Sequence, residues 1–163
     1  MNKIQYFIGE PIVYDSEIEV LAKLTEILNK EKIDGIFFCN VNINGTQIDV
    51  ALVTEKNILV IEAKKYNVPI RGDTNGMWEY YSSGMWHKTS NLYFQALNAT
   101  FKFKDSFSKY FKLNGVYPDG LLVFTKKLPK NSNPISDLKI KILQDVSQLN
   151  TLTSFRKNNS CRK

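Results

Sequence analysis

The stretch 47–65 constrains this chain most. It reads as two apolar strands, 47–53 and 58–65, joined by the polar turn Thr54-Glu55-Lys56-Asn57. Three charged residues, Asp49, Glu62 and Lys64, interrupt sequence that otherwise looks buried. Charge inside a sheet is costly unless it is paired or binds something. Strand side chains alternate between faces, so Ile58, Val60, Glu62 and Lys64 share one face. Asp49, Ala51 and Val53 share a face of the preceding strand.

The turn sets the register. With Glu55-Lys56 as a two-residue loop, Thr54 pairs with Asn57 and Asp49 stands opposite Glu62. With Lys56-Asn57 as the loop, Asp49 stands opposite Lys64. Either loop gathers the three charges on one face, whereas an odd loop without a bulge turns Asp49 to the other face. Directly opposed Cβ atoms lie roughly 4.5–5.5 Å apart. Two carboxylates that close repel unless a divalent cation lies between them, and a hard cation such as Mg²⁺ suits oxygen ligands. The competing reading is a hairpin with a surface salt bridge joining Lys64 to Glu62 or Asp49.

The pattern Asp49-x12-Glu62-x-Lys64 on consecutive strands resembles the PD-(D/E)xK nuclease core. Its wider context, Gly45-Thr46-Gln47-Ile48-Asp49 and Ile61-Glu62-Ala63-Lys64-Lys65-Tyr66, more specifically resembles the nuclease-related domain, NERD. The resemblance covers about residues 9–155. It implies a restriction-endonuclease-like α/β fold: a mixed β-sheet, an antiparallel meander plus later strands, flanked by helices. It also implies metal-dependent hydrolysis of phosphodiester bonds in nucleic acid, with DNA the expected substrate. Asp49 and Glu62 would hold Mg²⁺ or Mn²⁺, helped by the Ala63 carbonyl and Glu17. Lys64 would orient or deprotonate the attacking water.

Glu17 transfers from the family's helix ahead of the sheet, because Ser16-Glu17-Ile18-Glu19-Val20 matches that segment with Ser where Gly is common. Helical spacing to Leu21, Leu24 and Leu28 also sets Glu17 on the buried face. A first-turn Glu favoured by the helix dipole is the alternative. Asn91-x3-Gln95-x2-Asn98 is similar to the family's Asn-Pro-x2-Gln-Asn segment, although Leu92 replaces the Pro and Asn98 falls late. Gln95 thus joins the catalytic set, donating to a phosphate or holding a metal-bound water. Gln95 has an alternative as a core amide. Asn91, Lys65 and Trp78 are the expected nucleic-acid contacts. Gly72…Gly76-x-Trp78 resembles the family's aromatic segment. Trp78, Tyr80 and Trp86 either stack on unpaired bases or close a small core.

The rest of the chain fits one domain spanning 1–163, with a core at 9–155 and a frayed tail at 157–163. Residues 1–15 show no regular element. A helix begins at Asp15 or Ser16, capped by either, and ends near Asn29-Lys30. Residues 36–41 read as a strand, and 70–72 as a short edge strand. A hairpin turns at Ser82-Ser83. A long helix capped by Ser90 or Asn91 runs to about Phe111. Strands follow at 121–124 and 138–143. Asp145 caps a last helix bearing Val146, Leu149, Leu152 and Phe155.

The net charge is +6, with lysines clustered at 102–112, 126–130 and 139–141, which favours a polyanion partner. No run nears the roughly 18 apolar residues of a membrane span, and no signal peptide is visible. Cys39 and Cys161 form neither a disulfide framework nor a zinc spacing. The cytoplasm is the expected compartment, with no membrane partner. His87, the sole histidine, lacks a partner at ligand spacing. No helix-turn-helix or zinc finger supplies sequence specificity. A helicase or other effector and a homodimer are the assemblies that the family resemblance raises. The rival function is a catalytically silent nuclease-fold module that binds nucleic acid or a partner protein. Retention of all three motif residues argues against it.

Overall fold

A computed structural model describes residues 2–135, 137 and 139–152. The chain opens with β1 (Ile4–Ile8), continues into α1 (Asp15–Glu31), and lays down β2 (Gly35–Ile43), β3 (Thr46–Thr54) and β4 (Ile58–Lys64). Three short strands follow: β5 (Ile70–Gly72), β6 (Trp78–Ser82) and β7 (Met85–Thr89). Then come α2 (Leu92–Phe111), β8 (Asp119–Phe124), β9 (Asn133–Pro134), β10 (Ile140–Leu143) and a short 3-10 helix (Val146–Thr151).

The main sheet has six strands in the order β1-β2-β3-β4-β8-β10. The meander β2-β3-β4 is antiparallel, while β1, β8 and β10 pair in parallel with their neighbours. The fold is therefore α/β, with a mixed sheet flanked by helices. Leu121 and Val123 of β8 pack into one face's core and Leu122 and Phe124 into the other's. Burial on both faces is what its unbroken apolar run requires. On the first face, Val20, Leu24, Ile27 and Leu28 of α1 cover the sheet. On the second, Ala99 and Phe103 of α2 cover Ala51 and Val60.

A second sheet, β7-β6-β5-β9, folds over one end of α2. Its Ile70 and Trp78 pack with Leu92, Tyr93, Ala96, Leu122 and Phe124. The hairpin turns at Ser83-Gly84, one residue beyond the expected dipeptide, with φ of 51° and 81°. Two positive φ values match the twist of the flanking strands.

Several elements differ from the sequence reading. β1 occupies part of the segment read as irregular. Its hydrogen bonds go to β2, far along the chain, and Gly9 and Pro11 come only after it ends. β5 lies inside its sheet, between β6 and β9, rather than at an edge. Tyr14, not Asp15 or Ser16, is the N-cap of α1, and its side chain makes no cap bond. Asn91 does cap α2, accepting from the Phe94 N–H at 2.8 Å. The last helix is a single 3-10 segment with Asp145 as its cap. Phe155, Leu138 and the tail 157–163 lie outside the described residues. Among the described residues, no helix is long and apolar enough to cross a membrane.

Candidate active site

The β3–β4 turn is the two-residue loop Glu55-Lys56, closed by the Thr54 N–H donating to the Asn57 carbonyl at 2.9 Å. This register pairs Val53 with Ile58 and Val50 with Ile61. One step further sets Asp49 across from Glu62, and there the ladder stops. The Ala63 N–H donates instead to Asp49 Oδ2, at 2.9 Å. In an extended residue the N–H and C=O point to the same strand edge, so the Ala63 carbonyl faces the Asp49 side as well.

The cause lies in β2. Asn40 has φ of 49° in mid-strand. Cys39 pairs with Val50 and Val41 with Ile48, but the Asn40–Asp49 pair between them is missing. Residues two apart on a regular strand share a face. Here Cys39 and Val50 pack on the α1 side, whereas Val41 and Ile48 pack on the α2 side. The alternation slips at Asn40 and Asp49, and the slip turns the Asp49 carboxylate toward β4. Asn is one of the few side chains that tolerate this backbone region. Asn40 Nδ2 donates to the Glu10 and Pro11 carbonyls at 3.3 and 2.8 Å, and its Oδ1 accepts from Gln47. The sequence reading passed over Asn40. The signal was available: counting outward from the Asn44-Gly45 turn puts a polar Asn directly opposite Asp49.

Around Asp49 stand Glu62, Lys64 and Glu17. The Lys64 ammonium lies 2.7 Å from Glu62 Oε1. Glu17, Asp49 and Glu62 are 3%, 8% and 7% exposed, so the Glu62–Lys64 pair is recessed rather than a surface bridge. Glu17 enters from the first turn of α1, and its Oε2 is buried without a hydrogen-bond partner. Gln95 enters from the first turns of α2; its Nε2 donates to Ser90 Oγ at 2.7 Å while its Oε1 is buried and unpartnered. Asn98 Nδ2 donates to Thr46 Oγ1 at 3.1 Å, bridging α2 to the start of β3. These residues line a cleft of about 660 Å³. An apolar groove of about 490 Å³ lies along Phe38, Phe103, Phe107 and Tyr110, away from the carboxylates.

The electrostatics follow from burial. Asp49 is pushed from 3.8 up to about 7, by desolvation first and then by the Glu62 charge; Lys64 and the Ala63 N–H oppose this in part. Burial also raises Glu17, with Lys64 easing the shift and Glu62 reinforcing it. Burial pulls Lys64 down, but the charge and hydrogen bond of Glu62, with Asp49 behind them, outweigh it and hold the ammonium above its usual range. Three recessed carboxylates thus share one ammonium.

That arrangement is short of positive charge. Among the described residues, no three His, Cys, Asp or Glu side chains are grouped so that they could hold a metal ion. The donors available are the Asp49–Glu62 pair, the Ala63 carbonyl edge and the orphaned oxygens of Glu17 and Gln95. All are oxygens, the donor set of a hard divalent cation that keeps several waters.

Two expected nucleic-acid contacts are corrected. Trp78 is fully buried, and its indole N–H donates to the Asp73 carbonyl at 2.8 Å, so it closes the core beneath the small sheet. Strand alternation turns it inward with Ile70. Asn91 spends its carbonyl on capping α2 and its amide on the carbonyls of Asp73, Thr74 and Gly76. Both ends are committed to structure. Lys65 sits on the cleft rim, 3.0 Å from Asp15 and 3.2 Å from Glu19.

A family model described as a nuclease-related domain matches residues 13–125. No curated protein and no solved structure matches the chain. The matched span carries Glu17, Asp49, Glu62, Lys64 and Gln95 and covers well over half of the sequence. The chain therefore belongs to the nuclease-related domain family, NERD.

Proposed function

We propose that this chain is a metal-dependent phosphodiesterase acting on nucleic acid, with DNA as its substrate. The observation that carries the reading is the recessed Asp49–Glu62 pair, opposed across a broken ladder beside a single ammonium. A sheet has no structural use for two opposed carboxylates, because their repulsion weakens it. A bound Mg²⁺ or Mn²⁺ would neutralise that charge and polarise the scissile phosphate.

The chain's own groups divide the work. Asp49 and Glu62 with the Ala63 carbonyl would hold the cation, and Glu17 would help from the wall of the cleft. Lys64 would orient the attacking water or help to deprotonate it, and its ammonium would offset charge on the phosphate. Gln95 has already given its amide N–H to Ser90, which leaves its Oε1 free to hold a water by accepting from it.

The test is cleavage of supercoiled plasmid and of an end-labelled single strand by wild type and Glu62→Ala, each with Mg²⁺, Mn²⁺ or EDTA. Metal-dependent cutting by wild type alone is expected, and nicking versus shortening separates internal from terminal attack. A folded wild type that cuts nothing with either metal would sink the reading in favour of a silent binding module.

A further inference from the structure

The cleft's lining points to the form of nucleic acid it accepts. Its carboxylates lie at the bottom, nearly closed off from solvent. Of the described residues lining it, the two cations are already engaged, Lys64 with Glu62 and Lys65 with Asp15 and Glu19. The lining thus sets two cations against three carboxylates, a poor match for a duplex backbone, whose binding rests on many phosphate contacts. What it offers is an aromatic ring and amides. Tyr66 lines the cleft beside Lys64, with Gln95 and Asn98 on the α2 wall.

Tyr66 does not stand alone. Its ring centroid lies 6.1 Å from Phe124, which backs it edge-on from the core, and 6.2 Å from Tyr80. Tyr80 in turn stacks on His87 at 5.3 Å, so a row of half-buried rings on the small sheet braces Tyr66. His87 is pinned in that row by the Ser82 carbonyl, 3.1 Å from its Nε2. Rings accept unpaired bases through their π-faces whatever the sequence, whereas bases inside a duplex are already stacked.

We propose that the cleft takes an unpaired strand: a single-stranded nucleic acid or the frayed end of a duplex. One base rests on Tyr66 within reach of Gln95 and Asn98. This rests on the nuclease reading for the chemistry but makes a separate claim about binding.

The test uses a fluorescent oligothymidine strand, the same strand paired into a blunt duplex, and the strand with abasic sites. Binding is measured by anisotropy in EDTA and cleavage with Mn²⁺, for wild type, Tyr66→Leu and Tyr66→Phe. Wild type is expected to bind and cut the single strand at least about tenfold better than the duplex. Tyr66→Leu should lose about tenfold in strand affinity, Tyr66→Phe should restore it, and the abasic strand should bind wild type as weakly as the normal strand binds Tyr66→Leu. Equal handling of strand and duplex, or an abasic strand bound as tightly as the normal one, would overturn the proposal. Ring-dependent strand binding without cleavage would leave it standing while removing the nuclease reading.

Discussion

Asn40 stands across the β2–β3 ladder from Asp49, and the two form the one missing rung in a register otherwise continuous from Gly35 to Ile43. The left-handed Asn40 backbone, fixed by three side-chain hydrogen bonds, sets where the Asp49 carboxylate points. Asn40→Gly tolerates the same φ but loses the amide, whereas Asn40→Val resists the conformation as well. Asn40→Val is expected to lower Mn²⁺ affinity by about 10- to 100-fold, the usual scale for a residue that orients a ligand. Asn40→Gly should fall between it and wild type. Electron paramagnetic resonance titration of Mn²⁺ checks this; unchanged affinity in Asn40→Val would detach the kink from the site.

Asp49 carries a stability cost in the metal-free protein. Its carboxyl titrates near 3.8 in the unfolded chain and near 7 in the fold. Between those values the folded state holds the extra proton, so stability falls as pH rises from about 4 to 7 and the full cost remains above 7. Asp49→Asn keeps an acceptor for the Ala63 N–H and removes the charge. It is expected to raise the melting temperature at pH 7.5 by roughly 3–8 °C, corresponding to about 1–2 kcal/mol, and to flatten the pH dependence. Differential scanning calorimetry at pH 5 and 7.5 in EDTA decides it. A variant that melts below wild type at pH 7.5 would contradict the assigned cost.

The same titration would govern a cation held by Asp49. Its binding would have to displace the Asp49 proton, so apparent Mn²⁺ affinity is expected to rise about tenfold per pH unit below 7 and level off above it. Calorimetric titrations at pH 6, 7 and 8 read this out. An affinity independent of pH across that range would mean that Asp49 is not a ligand.

What was legible in the sequence was local. The turn left two registers, Asp49 opposite Glu62 or opposite Lys64, and the structure takes the first; the spacing of Glu17 to Leu21, Leu24 and Leu28 put it on the buried face, where it lies. The long α2 and the buried β8 were equally readable, because density of apolar residues marks them. What escaped depends on distant partners. β1 owes its strand to β2, and Trp78 is buried in a cluster with Leu92, Leu122 and Phe124, which lie far along the chain. Asn40 escaped because a left-handed residue in mid-strand breaks the periodicity on which strand reading rests.

Glu62 and Lys64 should separate chemistry from folding. Glu62→Gln keeps the shape and removes a charge from a crowded site, so it should abolish cleavage while leaving the melting temperature equal or higher. Lys64→Ala leaves Glu62 recessed without its ammonium, 2.7 Å away in wild type, and should cost stability as well as activity. Added Mg²⁺ should recover much of the lost melting temperature in Lys64→Ala, since the cation replaces the missing positive charge. Circular dichroism melts with and without Mg²⁺ test the pair. Loss of the folded state in both variants would return Glu62–Lys64 to a purely structural bridge.

Gly72 marks a place where the small sheet can be broken without touching the carboxylates. A Cβ built there collides with the Trp78 ring, the largest of the fully buried side chains. The ring is held from the other side by Leu92, Leu122 and Phe124 and by its bond to Asp73, so it has no room to retreat. Gly72→Ala is therefore expected to cost at least about 2–3 kcal/mol, the range of overpacked cores. It should also shift Trp emission to the red as β5 and β6 separate. Asp49 and Glu62 belong to the other sheet, so Mn²⁺ affinity should persist while affinity for an oligothymidine strand falls, because Tyr80, whose ring braces Tyr66, sits on the displaced β6. Strand affinity surviving a red-shifted Gly72→Ala would show that the small sheet holds no part of the nucleic-acid path.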